Sequence, residues 1–421
     1  MKKAYIKVLL NFAIFSLLYL FSCTDPVTPE SDTGSPGRRS SCPELQSTSA
    51  DNQLIVHFSD QLKAADIKII LDRYRTLGLK VYTCDCSNIQ IALIEFPPGL
   101  TPEDRRRVAE DGLENEGNGQ LFDNINLALP VFSGSYTETT FQNKPDPKNQ
   151  IIVAVIDGGI NKSNPTFLNH LWQNPIPASD RCARSDNGFD YTLKYQADTS
   201  RSNVLHPHGT LVSSILLNPL PSNVNINLMD LRIFDKNGKG SLFDALCAIQ
   251  FAIDNGANII NMSWGYYNNN VHPLLSQYIQ KLNIRKITVV ASAGNENINT
   301  DSCLHHPSYF SSVFDNMIAV AALDPSESRL ASYSNFGIST VAIAAPGTHS
   351  IRVGATTTNV DGTSYASPEV VKAAAILLTW RPDRTYLDII NCIYSSSTPL
   401  GLPVRTGGRL HEPLLDCPVA R

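Results

Sequence analysis

In the second half of the chain, apolar residues gather into short runs separated by longer stretches in which they return every three or four positions. Residues 151–156 are apolar throughout, the pattern of a strand buried on both faces of a parallel sheet. Largely apolar runs at 226–229, 259–262, 287–291, 317–321 and 341–345 predict further strands. The clearest helix between them covers 241–255, where Leu242, Leu246, Ile249 and Ile253 share one face and Ser241 with Asp244 caps the start. A buried helix is expected from Glu369 to Leu378. This alternation over 150–421 predicts an α/β domain with a doubly wound, mostly parallel sheet, whose ligand sites lie beyond the carboxyl ends of the strands.

Residues 52–130 follow a different rhythm. A strand at 54–58 precedes a helix carrying Ile67, Ile70, Leu71, Tyr74 and Leu77, which stops at Gly78. Strands at 80–83 and 89–96 flank a polar turn, Thr101-Pro102-Glu103-Asp104 starts a second helix, and Ile125, Leu127 and Leu129 alternate along a last strand. The order β-α-β-β-α-β is the split βαβ arrangement of a small ferredoxin-like α+β domain. Residues 24–51 and 131–149 are polar and lack periodicity, and read as a flexible tether and an exposed linker open to cleavage.

Composition narrows the class. With 421 residues, 42% apolar and 17% charged, the chain is globular, and a net charge of -5 without a long basic run excludes nucleic acid as a partner. Lys2 and Lys3 precede an apolar run from Ile6 to Phe21 that ends at Ser22-Cys23. Residues 1–23 resemble a bacterial lipoprotein signal, with Cys23 as the lipidated N-terminus and membrane anchor; an ordinary signal peptide and a retained N-terminal helix are the alternatives. All three place the remainder outside the cytoplasm, either lipid-anchored in a bacterial cell envelope or secreted. Eight further cysteines then permit disulfides. Cys392 with Cys417 is the favoured pair, tying the chain end to the last helix, and Cys247, on an apolar helix face, is the best candidate for a buried free thiol.

The chemistry centres on Gly362-Thr363-Ser364-Tyr365-Ala366-Ser367-Pro368 at the start of the 369–378 helix. A serine hydroxyl needs a base, a group orienting that base, and donors for the oxyanion it creates. Val155-Ile156-Asp157-Gly158-Gly159, His208-Gly209-Thr210 and Ala293-Gly294-Asn295-Glu296 offer all three, in the order Asp, His, Ser. Singly these motifs are ordinary turns and helix starts; their conjunction at predicted element ends is specific. Over roughly 150–412 the chain resembles the subtilisin-like serine peptidases, the subtilase family. The resemblance continues through Asn261-Met262-Ser263-Trp264-Gly265, Tyr333-Ser334-Asn335-Phe336-Gly337, Ala344-Ala345-Pro346-Gly347 and Gly407-Gly408-Arg409-Leu410.

That resemblance implies a subtilisin-like three-layer αβα fold, with Ser364 as nucleophile, His208 as general base and acid, Asp157 orienting it, and Asn295 donating to the oxyanion. It implies polypeptide substrates laid as an extra strand against 238–241 and 263–265, touching Gly238, Gly240, Ser263, Trp264 and Gly265, with Glu296 at the rim of the pocket. It also makes 52–130 an inhibitory propeptide of a zymogen that blocks the cleft until cleavage at about 125–149. No cofactor is required; calcium is common in the family, but no loop here is specific enough to assign it. His305-His306 lacks a third ligand nearby and does not read as a metal site. Gly158 stands where Ser or Thr usually follows the Asp, Tyr365 replaces Met, Glu369 replaces His, and 162–205 reads as a surface insertion. A binding protein without activity and a transferase using the same acyl-enzyme are the rival readings. An α/β-hydrolase esterase fails on chain order and on the missing G-x-S-x-G at Ser364.

Overall fold

The computed structural model describes residue 42 and residues 47–84, 90–130, 150–164, 167, 169–175, 186–195, 205–353 and 356–411. In the front lobe, β1 (Ser49–Phe58), α1 (Ala64–Thr76), β2 (Lys80–Thr83), β3 (Ile91–Glu95), α2 (Pro102–Leu113) and β4 (Gly119–Ala128) follow in that order. The four strands form an antiparallel sheet ordered β2-β3-β1-β4. Period-two alternation divides its faces. Leu54, Val56, Phe58, Ile94 and Phe96 pack beneath the two helices, where the buried Tyr74 hydroxyl donates to the Ala109 carbonyl at 2.7 Å. The opposite face, with Ile55, Ile91, Leu93, Ile125 and Leu127, joins a core that continues into the second half.

The second half runs through β5 (Gln150–Asp157), β6 (Gly188–Asp190), α3 (His208–Leu217), β7 (Asn225–Arg232), β8 (Lys239–Ser241), α4 (Leu242–Asp254), β9 (Ile259–Met262) and β10 (Tyr266–Tyr267). It continues with α5 (Pro273–Ile284), β11 (Thr288–Ser292), β12 (His305–His306), β13 (Met317–Leu323), β14 (Ile343–Pro346) and the hairpin β15 (Thr348–Val353) with β16 (Thr356–Asp361). It closes with α6 (Thr363–Trp380), α7 (Tyr386–Ser395), β17 (Thr398–Pro399) and β18 (Gly408–Arg409).

Nine strands form the main sheet, ordered β17-β18-β14-β13-β11-β9-β5-β7-β6, and every pair except β17 with β18 is parallel. Alternate residues again separate the layers. Ala154, Ile156, Met229, Leu231, Ile260 and Met262 face the core shared with α4 and α5, while Val153, Val155, Ile226, Leu228, Val290 and Val320 face α3, α6 and α7. The expected αβα layering and mostly parallel sheet are therefore present.

The two halves share backbone and core, and residues 39–421 form one compact unit. Strand β8 adds antiparallel to the free edge of β4, pairing Asn126 with Ser241, Leu127 with Gly240 and Ala128 with Lys239. Asn124 is fully buried; its Oδ1 accepts from the Phe243 amide at 3.0 Å and its amide group donates to Gln53 Oε1 at 2.7 Å. One orphan N–H in the first turn of α4 is thus satisfied from the front lobe.

Two expectations need correction. Cys247 is not a free thiol: it is bonded to Cys84 of the front lobe, and a second disulfide joins Cys42 to Cys303. Full burial on an apolar helix face suits a half-cystine as well as a thiol, and the partner lies 163 residues away. Cys392 is also disulfide-bonded. Cys417, Cys86, Cys182 and Cys23 lie outside the described residues, as does the N-terminal apolar run. The 162–205 stretch is not merely a surface insertion, because Phe167, Trp172, Phe189 and Tyr191 are buried and β6 closes the sheet edge beside β7. No helix among the described residues is long and apolar enough to cross a membrane.

Histidine burial makes stability pH-dependent. Desolvation pushes His305 down to about 3 and His306 to about 4, and also lowers His170 and His272. His305 Nδ1 meets Ser308 Oγ at 2.8 Å, His306 Nε2 meets the Asn268 carbonyl at 2.8 Å, and the rings lie against Tyr266, Tyr267, Tyr309 and Phe310. The native state refuses protons that the unfolded chain accepts below its histidine pKa of about 6.5. Stability is therefore complete above that value and is lost as pH falls toward 4. Denaturant midpoints measured from pH 7 to 4.5 should fall, and His306→Gln should flatten the fall; a flat wild-type profile would contradict the reading.

Candidate active site

The predicted residues converge at the carboxyl ends of adjacent parallel strands, where α/β sheets place their ligands. Asp157 is the last residue of β5, Ser263 follows β9 and Asn295 lies just past β11. His208 opens α3, and Ser364 is the second residue of α6.

Asp157 and His208 are buried, at 0% and 2% exposure. His208 Nδ1 lies 2.8 and 2.9 Å from the two Asp157 carboxylate oxygens. The Gly158 amide donates to Asp157 Oδ1 at 2.6 Å, so the backbone meets one oxygen of the buried carboxylate. Small residues are needed here, because a Cβ at Gly209 would fall 2.7 Å from the Gly159 carbonyl oxygen. The Tyr365 ring lies 5.5 Å from the His208 ring and packs beside it. His208 Nε2 is buried with no hydrogen-bond partner among the described residues, while Ser364 Oγ donates instead to the Ser263 carbonyl at 3.0 Å. The serine–histidine bond is therefore not formed in this state.

Helix α6 carries Pro368 in its interior. Proline has no N–H, so the Ser364 carbonyl four residues earlier loses its helical donor. Two hydroxyls take its place, from Ser263 at 2.9 Å and Ser367 at 3.4 Å. Ser263 and Ser367 are 2.7 Å apart, and both engage the buried Asn261, whose Nδ2 donates to Ser263 and whose Oδ1 accepts from Ser367. This network clamps the Ser364 turn to the end of β9. Asn261 and Ser367 stand in the sequence motifs, but nothing in them indicates this role.

Asn295 Oδ1 accepts from the Thr363 amide at 2.9 Å and its hydroxyl at 3.0 Å, which leaves the amide nitrogen as the end able to donate. The buried Asn335 holds the preceding loop, accepting from the amides of Glu296 and Ile298 and donating to the Ala293 carbonyl. Glu296 is half-buried; its Oε2 accepts from the Asn295 amide and from the Tyr267 hydroxyl. Tyr267 escapes sequence reasoning because it reaches the loop only through the β10–β12 pairing.

The proposed substrate segments are also placed. Gly238 and Gly240 flank the start of β8, already paired with β4, and the Leu129 amide donates to the Gly238 carbonyl at 2.8 Å. The Pro130 carbonyl then bonds the His206 ring, whose centroid is 6.3 Å from that of His208. Trp264 is buried and its ring packs edge-on against Phe234. A Cβ at Gly265 would fall 2.2 Å from the His305 ring, so the paired histidines back the 263–265 segment. Among the described residues no group of His, Cys, Asp or Glu is arranged to hold a metal ion.

The family model for the subtilase family, peptidase S8, matches residues 148–406. The chain belongs to that family, the subtilisin-like serine peptidases. Subtilisin DY of Bacillus licheniformis is 33% identical over 180 residues, which cover 42% of this chain and 63% of that one. Halolysin of Haloferax mediterranei is 32% identical over 320 residues, 73% of this chain and 56% of its own. The chain thus spans about six-tenths of the length of these curated relatives. The solved epidermin leader peptide processing serine protease EpiP from Staphylococcus aureus superposes with a TM-score of 0.58 at 18% identity, over 85% of this chain and 96% of that one, a likeness of fold.

The clamp on the Ser364 carbonyl is testable by stability. Ser263→Ala and Ser367→Ala should each lower unfolding free energy by about 1–3 kcal/mol, the cost of an under-satisfied buried polar group. The double variant should depart from additivity, since both hydroxyls serve one carbonyl. Additive effects near zero in denaturant titrations would show that the network does not hold the turn.

Proposed function

We propose that the chain is a serine endopeptidase that hydrolyses peptide bonds through an acyl-enzyme, with Asp157, His208 and Ser364 as its triad. The observation that carries this reading is the buried Asp157–His208 pair, whose imidazole packs against Tyr365, the residue after Ser364 at the N-terminus of an 18-residue helix. Asp157 fixes the imidazole tautomer with the proton on Nδ1 and leaves Nε2 as the acceptor. Once Ser364 turns from the Ser263 carbonyl toward Nε2, its Oγ attacks the scissile carbonyl carbon as His208 takes the proton. Catalytic hydrogen bonds that are absent without substrate are common in such sites. The oxyanion is met by the Asn295 side-chain amide, the Ser364 backbone N–H and the positive end of α6. His208 then protonates the leaving amine, and water attacks the acyl-enzyme by the reverse route.

The same reading makes the front lobe an inhibitory propeptide. Its support is that residues 126–129 occupy the β8 edge where a substrate strand would add, a form of β-augmentation. Cleavage in the 131–149 region would then mature the zymogen. We further propose that the protein works outside the cytoplasm, held to the cell envelope through Cys23, the support being the sequence around that residue and the disulfides of the folded chain. Polypeptides are its substrates, with Glu296 at the rim of the pocket preceding the cut bond.

The test is hydrolysis of a fluorogenic peptide library by wild type, Ser364→Ala and Asn295→Ala, each cut within 131–149 by an added protease and reduced to free the front lobe. Ser364→Ala should lose turnover and any cutting of its own chain. The loss known for one oxyanion donor in subtilisin, about 10²–10³ in turnover, sets the size expected for Asn295→Ala. Wild-type activity retained by Ser364→Ala would overturn the assignment.

A further inference from the structure

Among the described residues, two covalent bonds cross between the segments that flank residues 131–149. Cys42 and Cys84 precede that stretch, and their partners Cys303 and Cys247 follow it. We propose that cutting the chain between Pro130 and Gln150 does not release the front lobe, which stays on the peptidase half as a disulfide-held second chain. This rests on the reading of the front lobe as a segment cut during maturation.

The two bonds are set in different surroundings. Cys84 and Cys247 are buried where the lobe's inner face meets α4, among Ile91, Leu93, Leu246 and Phe243. Thiol–disulfide exchange needs a thiolate to reach a sulfur, so this bond is shielded while the core is closed. Cys303 is buried with Tyr267 and Ile298, and Cys42 packs against them from the N-terminal side. Beside it the backbone is stitched to the peptidase half, the Ser47 amide donating to the Tyr267 carbonyl at 2.8 Å and the Tyr267 amide to Ser47 Oγ at 3.3 Å. The bonds are thus independent, one through the lobe and one through the segment before it.

A tail joined covalently to the enzyme sits at an effective concentration set by the linkage, so dilution does not remove it as it would a free inhibitor. Release takes a dithiol reductant, which forms its own disulfide while each cystine gains two electrons and two protons, or further proteolysis of the lobe. The linkage also answers a problem of topology. If residue 23 carries an anchor, a cut after residue 130 would by itself detach the peptidase half from it. Either disulfide, Cys42–Cys303 or Cys84–Cys247, is enough to keep them joined.

The experiment uses the full chain, secreted through an oxidising compartment, with Ser364→Ala to stop self-cutting and a site-specific protease sequence inserted within 131–149. After complete cutting and blocking of free thiols, denaturing gels should show one species without reductant and two with it. Cys84→Ser should still give one unreduced species, held by Cys42–Cys303, and Cys42→Ser with Cys84→Ser should give two. Separation of the cut parent chain without reductant would overturn the proposal, and that comparison needs no cysteine variant to fold. A wild-type chain that never cuts itself would count against the maturation reading and leave the gel result standing, since the cut there is external.

Discussion

A carboxylate with no exposure to water is the constraint on which the site depends. Burying an unpaired charge costs several kcal/mol, so Asp157 persists only because His208 Nδ1 and the Gly158 amide meet its oxygens. Those contacts require the end of β5 and the start of α3 to meet at close range, which Gly159 and Gly209 allow. The imidazole also packs against the ring of Tyr365. Tyr365 in turn sits on the helix whose first turn carries Ser364. One buried charge thus fixes three elements of the sheet's carboxyl edge.

The second organising feature is the union of the front lobe with the peptidase half. A four-stranded sheet with two helices buries one face by itself; the other is covered by α4, while β8 extends the sheet at the β4 edge. Asn124 capping α4, the common apolar core and the two disulfides make this a domain interior rather than a surface contact. The segment that fills the candidate substrate edge is the C-terminal end of β4, so its placement follows from the packing of the lobe.

Much of this was legible in the residues. Unbroken apolar runs announced the parallel strands, because a strand covered on both faces admits few polar positions. The Ser241–Asp244 cap and the Thr101-Pro102 start were read from local chemistry and appear as such. Contacts between distant segments were not legible. Cys247 looked like a free thiol because burial does not distinguish the two states, and β6 went unseen because three residues at a sheet edge make no periodic signal. Likewise the Gly-Thr-Ser motif marked Ser364, but the need for Ser263 at its carbonyl follows from the proline only once β9 is seen beside α6.

The account's central claim is that Ser364 is made nucleophilic by the His208–Asp157 pair. Treatment of the cut, reduced wild-type protein with a fluorophosphonate, followed by peptide mass mapping, tests it most directly. The account predicts a single adduct on Ser364, abolished by His208→Ala in a protein that remains folded. Folded, cut and reduced wild-type protein that takes up no label at Ser364, or labelling that persists unchanged in His208→Ala, would contradict it.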